Sequence, residues 1–173
     1  KMGLSEVEAQ EIMVAGLLHD IGKLGLSDHL IRKPFATLTA EERAEVCKHP
    51  AKGQAVLMGL EQLKEAAKLI RSHHERFDGL GYPDGLSGLA IPLGARILAL
   101  ANDYDALQAG SVSTKKQSPE EARKTIMEGR GKRYDPNVVE AFMAVLGRVG
   151  ELDLQKPERV LSTSQLLPGM ALA

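Results

Sequence analysis

Apolar residues recur at helical spacing along most of the chain, in short stretches interrupted by polar caps, glycines and prolines. The first stretch carries Val7, Ile12, Met13, Leu17 and Leu18 behind Ser5-Glu6-Val7-Glu8, which has the form of a capping box. It runs into His19-Asp20 and breaks at Gly22 and Gly25. Residues 28–38 read as a helical turn and a loop, with Pro34 as breaker. Thr39-Ala40-Glu41-Glu42 is a second capping box. Its helix carries Val46 and Cys47 and reaches His49-Pro50, where the proline is expected to end or kink this helix and can open the next, which continues to Met58. Residues 62–75 predict a helix with Leu63, Ala66, Ala67 and Ile70 inward and His73 and His74 near its end. Pro92 opens a helix at a favoured first position, with Ile97, Leu98 and Ala101 as inner face, continuing through Asn102 and Asp103 to about Leu107. Residues 109–117 read as a polar loop. Ser118-Pro119-Glu120-Glu121 starts a further helix, Gly129 and Gly131 stop it, and Asp135-Pro136 opens the last one, through Val138, Val139, Phe142 and Val145. The pattern predicts an all-α bundle. Residues 160–173 are strand-like in composition with a Pro-Gly turn, a short irregular or strand-like C-terminal extension.

Composition narrows the class. The 173 residues suffice for one domain with a core, and only 3% are aromatic, so that core rests on aliphatic and small residues. A net charge of -1 leaves no basic footprint for a nucleic-acid duplex. No apolar run reaches the length of a membrane span, and residues 1–10 are polar and amphipathic rather than a signal peptide. The single Cys47 excludes an internal disulfide and fits a reducing, cytoplasmic compartment. Its spacing reads as that of a small, partly buried helix residue.

The chemistry concentrates at a few points. Residues 72–86, SHHERFDGLGYPDGL, place two adjacent histidines before a glycine- and proline-shaped loop. Gly79, Gly81 and Gly85 admit positive φ there, and Pro83 restricts Tyr82 toward an extended shape. His19-Asp20 sits at the apolar end of a helix, where an ionisable pair is costly unless a partner satisfies it. His29 reads as a capping or surface residue. His19, Asp20, Lys23, His49, His73, His74, Asn102 and Asp103 come from several helices, as in metal sites built inside helical bundles. Mixed imidazole and carboxylate donors suit iron, manganese or zinc and disfavour calcium or magnesium. Four imidazoles and an aspartate exceed one tetrahedral zinc site, which points to two metals that Asp20 could bridge. Such a pair activates a bridging hydroxide and clamps a phosphoryl group, with Lys23 meeting a phosphate or protonating a leaving oxygen.

With Leu18-His19-Asp20-Ile21-Gly22-Lys23, then His73-His74-Glu75, Asp78-Gly79 and Gly81-Tyr82-Pro83, the sequence resembles the HD-GYP branch of the HD superfamily. The match continues through DHLIRKP, LTAEE, ARILAL and Tyr134-Asp135-Pro136, so it spans most of the chain. The resemblance implies an HD-domain helical bundle over residues 1–150 and a linker with the start of a further module over 151–173. It implies a phosphodiesterase that hydrolyses cyclic di-GMP to pGpG or GMP with two or three iron or manganese ions. By resemblance His19, Asp20, His49, His73 and His74 are metal ligands and Lys23 contacts the substrate phosphate. Arg76, Asp78 and the loop from Gly79 through Gly81 and Tyr82 to Pro83 lie at the site's rim, where some relatives dock diguanylate cyclase domains.

Two departures bear on this expectation. The family's last aspartate ligand, counted from Arg96, falls on Asn102, with Asp103 as its neighbour about 100° round the helix. Asn102 offers a carbonyl oxygen without charge. The family also draws a histidine, sometimes with a glutamate, from a helix before the segment that starts at Lys1. That leads to the expectation of a longer protein with an upstream receiver or sensor domain. The alternatives are a catalytically weak or inactive module that binds a cyclic dinucleotide or a cyclase, and a phosphodiesterase for cyclic GMP-AMP.

Overall fold

The computed structural model describes residues 2–110 and 115–155, with side chains as far as Arg148. The strand-like stretch expected at 160–173 lies outside the described residues, as does the middle of the polar loop expected at 109–117. Eight α-helices follow in order: α1 Glu6–Leu18, α2 Asp28–Arg32, α3 Ala40–Val46, α4 His49–Leu57, α5 Lys64–Ser72, α6 Leu93–Ala109, α7 Pro119–Glu128 and α8 Pro136–Gln155. Short 3-10 turns at Ile21–Lys23, Phe35–Thr37, Glu61–Leu63 and Gly88–Ala90 link them. Among the described residues there is no strand, and the fold is an all-α bundle. No described helix is long and apolar enough to cross a membrane. Residues up to Ala141 form one compact unit, and the described residues from Phe142 belong to a second.

The three predicted capping boxes all form. Ser5, Thr39 and Ser118 each accept a backbone N–H three residues on, while Glu8, Glu42 and Glu121 reach back to the cap N–H. The core joins α1, α4, α5 and α6 through Ala15, Leu57, Ala66, Ala67, Ile70 and Leu98, with Val14, Leu18, Ile21, Leu63 and Leu69 packed against it. Small residues let these helices approach closely. A Cβ added at Gly94 of α6 would lie 2.8 Å from both Ile12 and Leu69.

The structure differs from the sequence pattern in three places. Val7, Met13 and Leu17 of α1 are exposed, and the helix buries Ala15 instead. Apolar residues lie all round this helix, so its pattern does not single out one stripe. In α6 Ala101 is exposed and Ile97 only half-buried, while Ala95, Leu98, Leu100 and Leu107 are buried. This helix is covered on two sides, by the α1 and α5 layer and by α7, so a single inner face misses half of it. Pro92 stands at the N-cap, one position before the helix proper.

A buried ion pair fixes the first turn of α6. Arg96 pairs with Asp135, which is 2% exposed, and donates from Nε to the Ile91 carbonyl at 2.9 Å. Asp135 also accepts from the Asn137 N–H at 2.7 Å and so caps the start of α8.

Candidate metal centre

Three histidines sit where helices end. His19 is the C-cap of α1, His73 the C-cap of α5, and His49 opens α4 just beyond the end of α3. The expected helix over 62–75 is thus shorter: a 3-10 turn precedes it and it stops at Ser72, which frees His73 to turn inward. Each ring is anchored in the same way. Nδ1 of His19 donates to Gly16 O at 2.8 Å, Nδ1 of His49 to Val46 O at 2.8 Å, and Nδ1 of His73 to Ile70 O at 2.6 Å. A carbonyl oxygen can only accept, so Nδ1 bears a proton in each ring and Nε2 is the atom turned inward, with a lone pair wherever the ring is neutral. Backbone acceptors of this kind orient and tune metal-ligating imidazoles.

The consequence is a cluster of donors without donor partners. His49 Nε2 and His73 Nε2 face each other at 3.4 Å, and the ligand atoms of His49, His73 and His74 all lie within 4.8 Å of one another. Two lone pairs at that distance repel unless a proton or a cation lies between them. Burial opposes the proton: it lowers the affinity of His49 and His74 for protons and pushes His73 down to about 3. The donor set therefore fits a borderline divalent metal cation, which would satisfy the lone pairs that the Nδ1 anchors direct inward.

Asp20 supplies the carboxylate. Its Oδ1 lies 3.5 Å from His49 Nε2, and its Oδ2 lies 3.6 Å from His19 Nε2 and accepts from Lys23 Nζ at 2.7 Å. Burial acts to raise its affinity for a proton, but the hydrogen bond and positive charge of Lys23 outweigh it, and the carboxyl stays below its ordinary range. The two oxygens thus face two different histidines. Gly22 brings this turn against α4: a Cβ there would lie 1.9 Å from His49 O and 2.5 Å from Gly53 N. Gly22 serves close approach, not the helix break that its position predicts.

The loop after the histidines forms a lip tied back to the same helices. Arg71 of α5 forks Asp84 at 2.7 and 2.7 Å and reaches Gln54 of α4 at 3.1 Å. Glu75 is buried and its Oε1 accepts from Asp84 N at 2.7 Å and Gly85 N at 3.1 Å. Arg76 forks Asp78 at 3.0 and 2.6 Å, and the N–H groups of Phe77 and Asp78 bond to the carbonyls of Arg133 and Lys132. Gly79 and Gly85 adopt φ of 78° and 68°, as expected. Gly81 does not. It is required because a Cβ would lie 2.4 Å from Arg76 N and 2.5 Å from Glu75 Cα. The Tyr82–Pro83 peptide is cis, and the Tyr82 ring stacks on His74 with centroids 4.9 Å apart. Cys47, half-buried, meets the Tyr82 hydroxyl; burial pushes its thiol up.

A cleft of about 650 Å³ opens over the cluster, within the range of small-molecule sites. His19, Asp20, Lys23, His49, His74 and Asn102 line it; His73 lies behind them. Arg76, Gly81 and Tyr82 form part of its rim, and His29, 71% exposed and 3.6 Å from Glu42, stands elsewhere. Asp103 also reaches the cleft, but its Oδ2 already accepts from Arg133 Nε at 2.5 Å and Tyr134 OH at 2.9 Å. Sequence reasoning missed Arg133, Arg43 and Phe35 as wall residues. Each stands beside a segment of the family match, Arg133 before Tyr134-Asp135-Pro136, Phe35 after DHLIRKP and Arg43 after LTAEE, and that adjacency was the only signal.

Comparison with known proteins matches this arrangement to a family. The HD domain family model matches residues 1–138. A probable cyclic di-GMP phosphodiesterase of Vibrio cholerae is 42% identical over 137 residues, covering 75% of this chain and 31% of that protein. The cyclic di-GMP phosphodiesterase response regulator RpfG of Xanthomonas campestris is 36% identical over 172 residues, 98% of this chain and 44% of that protein. Among solved structures, the cyclic GMP-AMP specific phosphodiesterase V-cGAP3 of V. cholerae superposes with a TM-score of 0.66 at 27% identity, over 84% of this chain and 40% of that one. The chain thus spans less than half the length of these relatives. With its helical fold, its clustered histidines and its HHE and GYP segments in order, the chain belongs to the HD domain family, in its HD-GYP branch.

Proposed function

We propose that this domain is a metal-dependent phosphodiesterase that hydrolyses cyclic di-GMP to pGpG or GMP in bacterial second-messenger signalling. The observation that carries the reading is the set of inward Nε2 atoms at the helix ends: those of His19 and His49 face the two oxygens of Asp20 at the floor of the cleft, and that of His73 faces His49 from behind. Two divalent ions, iron or manganese, would be held by His19, Asp20, His49, His73, His74 and Asn102. Bound there, they would supply a hydroxide nucleophile and polarise the phosphoryl oxygens. Lys23 would orient the phosphate, and the lip with Arg76, Asp78 and Tyr82 would shape the rim. The response-regulator relative supports control by a receiver or sensor domain.

Hydrolysis of cyclic GMP-AMP is the second reading, favoured by the likeness to V-cGAP3. Incubating the metal-loaded protein with each dinucleotide and separating the products by chromatography tests both. Preferential turnover of cyclic di-GMP is expected. Equal or faster turnover of cyclic GMP-AMP would replace the first reading by the second, and binding without turnover would make the domain a receptor.

Lys23→Ala should leave the metals in place, since it removes no ligand, and slow turnover by about a hundredfold, the usual scale for one preorganised charge. Metal analysis beside kinetics checks this, and metal loss would show that Lys23 acts by holding Asp20. Asn102→Asp should tighten one metal by about tenfold, roughly 1.4 kcal/mol, because a charged oxygen binds a hard cation better than an amide does. Unchanged affinity on manganese titration would place Asn102 outside the coordination sphere.

A further inference from the structure

The cleft has a wall that the metal chemistry does not use. Helix α3 turns Arg43, Val46 and Cys47 toward it, at the i, i+3, i+4 spacing of one helix face. Beside them stands Phe35, from the 3-10 turn that follows Pro34. The Arg43 guanidinium lies over the Phe35 ring, 5.2 Å from its centroid. The pair is held in place by bonds that neither residue makes. Lys33 Nζ donates to Glu42 Oε2 at 2.7 Å, which ties the Phe35 loop to the residue before Arg43. Thr37 Oγ1 closes the turn on Pro34 O at 2.8 Å, and Glu42 closes the capping box on Thr39.

The other cations of the cleft are already matched. Lys23 donates to Asp20, Arg76 forks Asp78, and Arg133 pairs with Asp103. Among the described residues no carboxylate forms an ion pair with Arg43; its partner is an aromatic face. The cleft's other aromatic wall residue, Tyr82, gives a face to His74. A flat cation stacked on a ring, at the edge of a phosphoryl-transfer cleft, matches how proteins hold unpaired nucleobases: the base stacks on an aromatic or guanidinium plane. A guanidinium also offers two parallel donors that suit guanine O6 and N7.

We infer that Phe35 and Arg43 form a base platform that stacks one guanine of the dinucleotide and reads its O6 and N7 edge. This rests on the phosphodiester reading above and assigns it a specificity-determining pair. Phe35 and Arg43 bind substrate remote from the reacting phosphate, so they govern its capture rather than the chemical step.

The test compares two substrates on metal-loaded protein: cyclic di-GMP, and bis(p-nitrophenyl) phosphate, a diester with no base. Turnover of cyclic di-GMP by the unaltered protein comes first, and its absence would overturn the phosphodiesterase reading and this inference together. Given that turnover, Phe35→Ala and Arg43→Ala should each raise KM for cyclic di-GMP about tenfold, the usual scale of one lost base stack. The ratio of cyclic di-GMP to chromogenic diester turnover at low substrate should fall by the same factor, with metal content equal to that of the unaltered protein. Phe35→Trp should restore KM, because the larger ring still stacks, which also separates a lost platform from a failure to fold. Arg43→Lys should keep most of the defect, since an ammonium has neither plane nor fork. Unchanged KM in both alanine variants would overturn the inference, as would a parallel loss on both substrates. Full rescue by Arg43→Lys would assign Arg43 to a phosphate and overturn the base assignment.

Discussion

Asp20→Ala is expected to strip metal from the centre and to abolish hydrolysis. The two carboxylate oxygens face His19 Nε2 at 3.6 Å and His49 Nε2 at 3.5 Å, and no other carboxylate stands between those rings among the described residues. Removing it deletes, among the described residues, the one carboxylate placed between these imidazoles, and with it several kcal/mol of charge stabilisation. That corresponds to a loss of about a thousandfold or more in turnover. Lys23 would lose its 2.7 Å partner at the same time and leave a second positive charge beside the vacant position. Metal analysis after desalting decides the matter. Metal content equal to the unaltered protein would exclude Asp20 as a shared ligand, and Asp20→Asn, which keeps the shape but not the charge, would show which of the two the metals need.

Gly22→Ala should be the most damaging single methyl in the molecule. Its Cβ would meet His49 O at 1.9 Å and Gly53 N at 2.5 Å, both backbone atoms that cannot swing aside. The turn carrying Asp20 must then move away from the first turn of α4, which carries His49. Overpacking of this severity costs about 3 kcal/mol or more, and the separation falls on two members of the metal cluster at once. We expect a lower urea midpoint together with lost metal. Gly25→Ala is the matched control: φ there is 92°, with open space around the position. It should cost about 1–2 kcal/mol of backbone strain and leave the metals bound. Full metal loading in the Gly22 variant would mean that the two turns are not coupled.

The sequence carried the fold well where local chemistry decides it. Capping boxes at Ser5, Thr39 and Ser118 announce helix starts by themselves, because the cap and the residue three positions on satisfy each other without tertiary help. Proline before Ala51 and the glycines at 129 and 131 mark ends for the same reason. Burial was less legible. Nothing local tells Ala101 from Leu100, since their exposure depends on α7 lying over one side of α6. The histidines of the centre were legible by type, spacing and resemblance, but their tautomers were not, because each depends on a carbonyl that only the folded helix end presents. The steric need at Gly81 and Gly22 was hidden likewise, since a close approach is set by what arrives from elsewhere in the chain. Arg133 and Arg43 reach the cleft through tertiary placement, which their adjacency to matched segments does not reveal.

The three Nδ1 anchors carry one more consequence. Gly16, Val46 and Ile70, whose carbonyls receive them, each lie in the last turn of a helix, α1, α3 or α5. The aligned peptides of a helix sum to a macrodipole worth about half a negative charge at that end. Three such negative poles converge on one small volume, and at the buried His49 and His73 anchors salt screens them little. They attract cations without adding any titratable group, and therefore do so at every pH at which the helices are folded. Positive side chains stand on the walls above, at Lys23, Arg43, Arg76 and Arg133. The field is thus arranged by depth: negative helix poles lie at the floor, and at the walls positive side chains stand beside carboxylates.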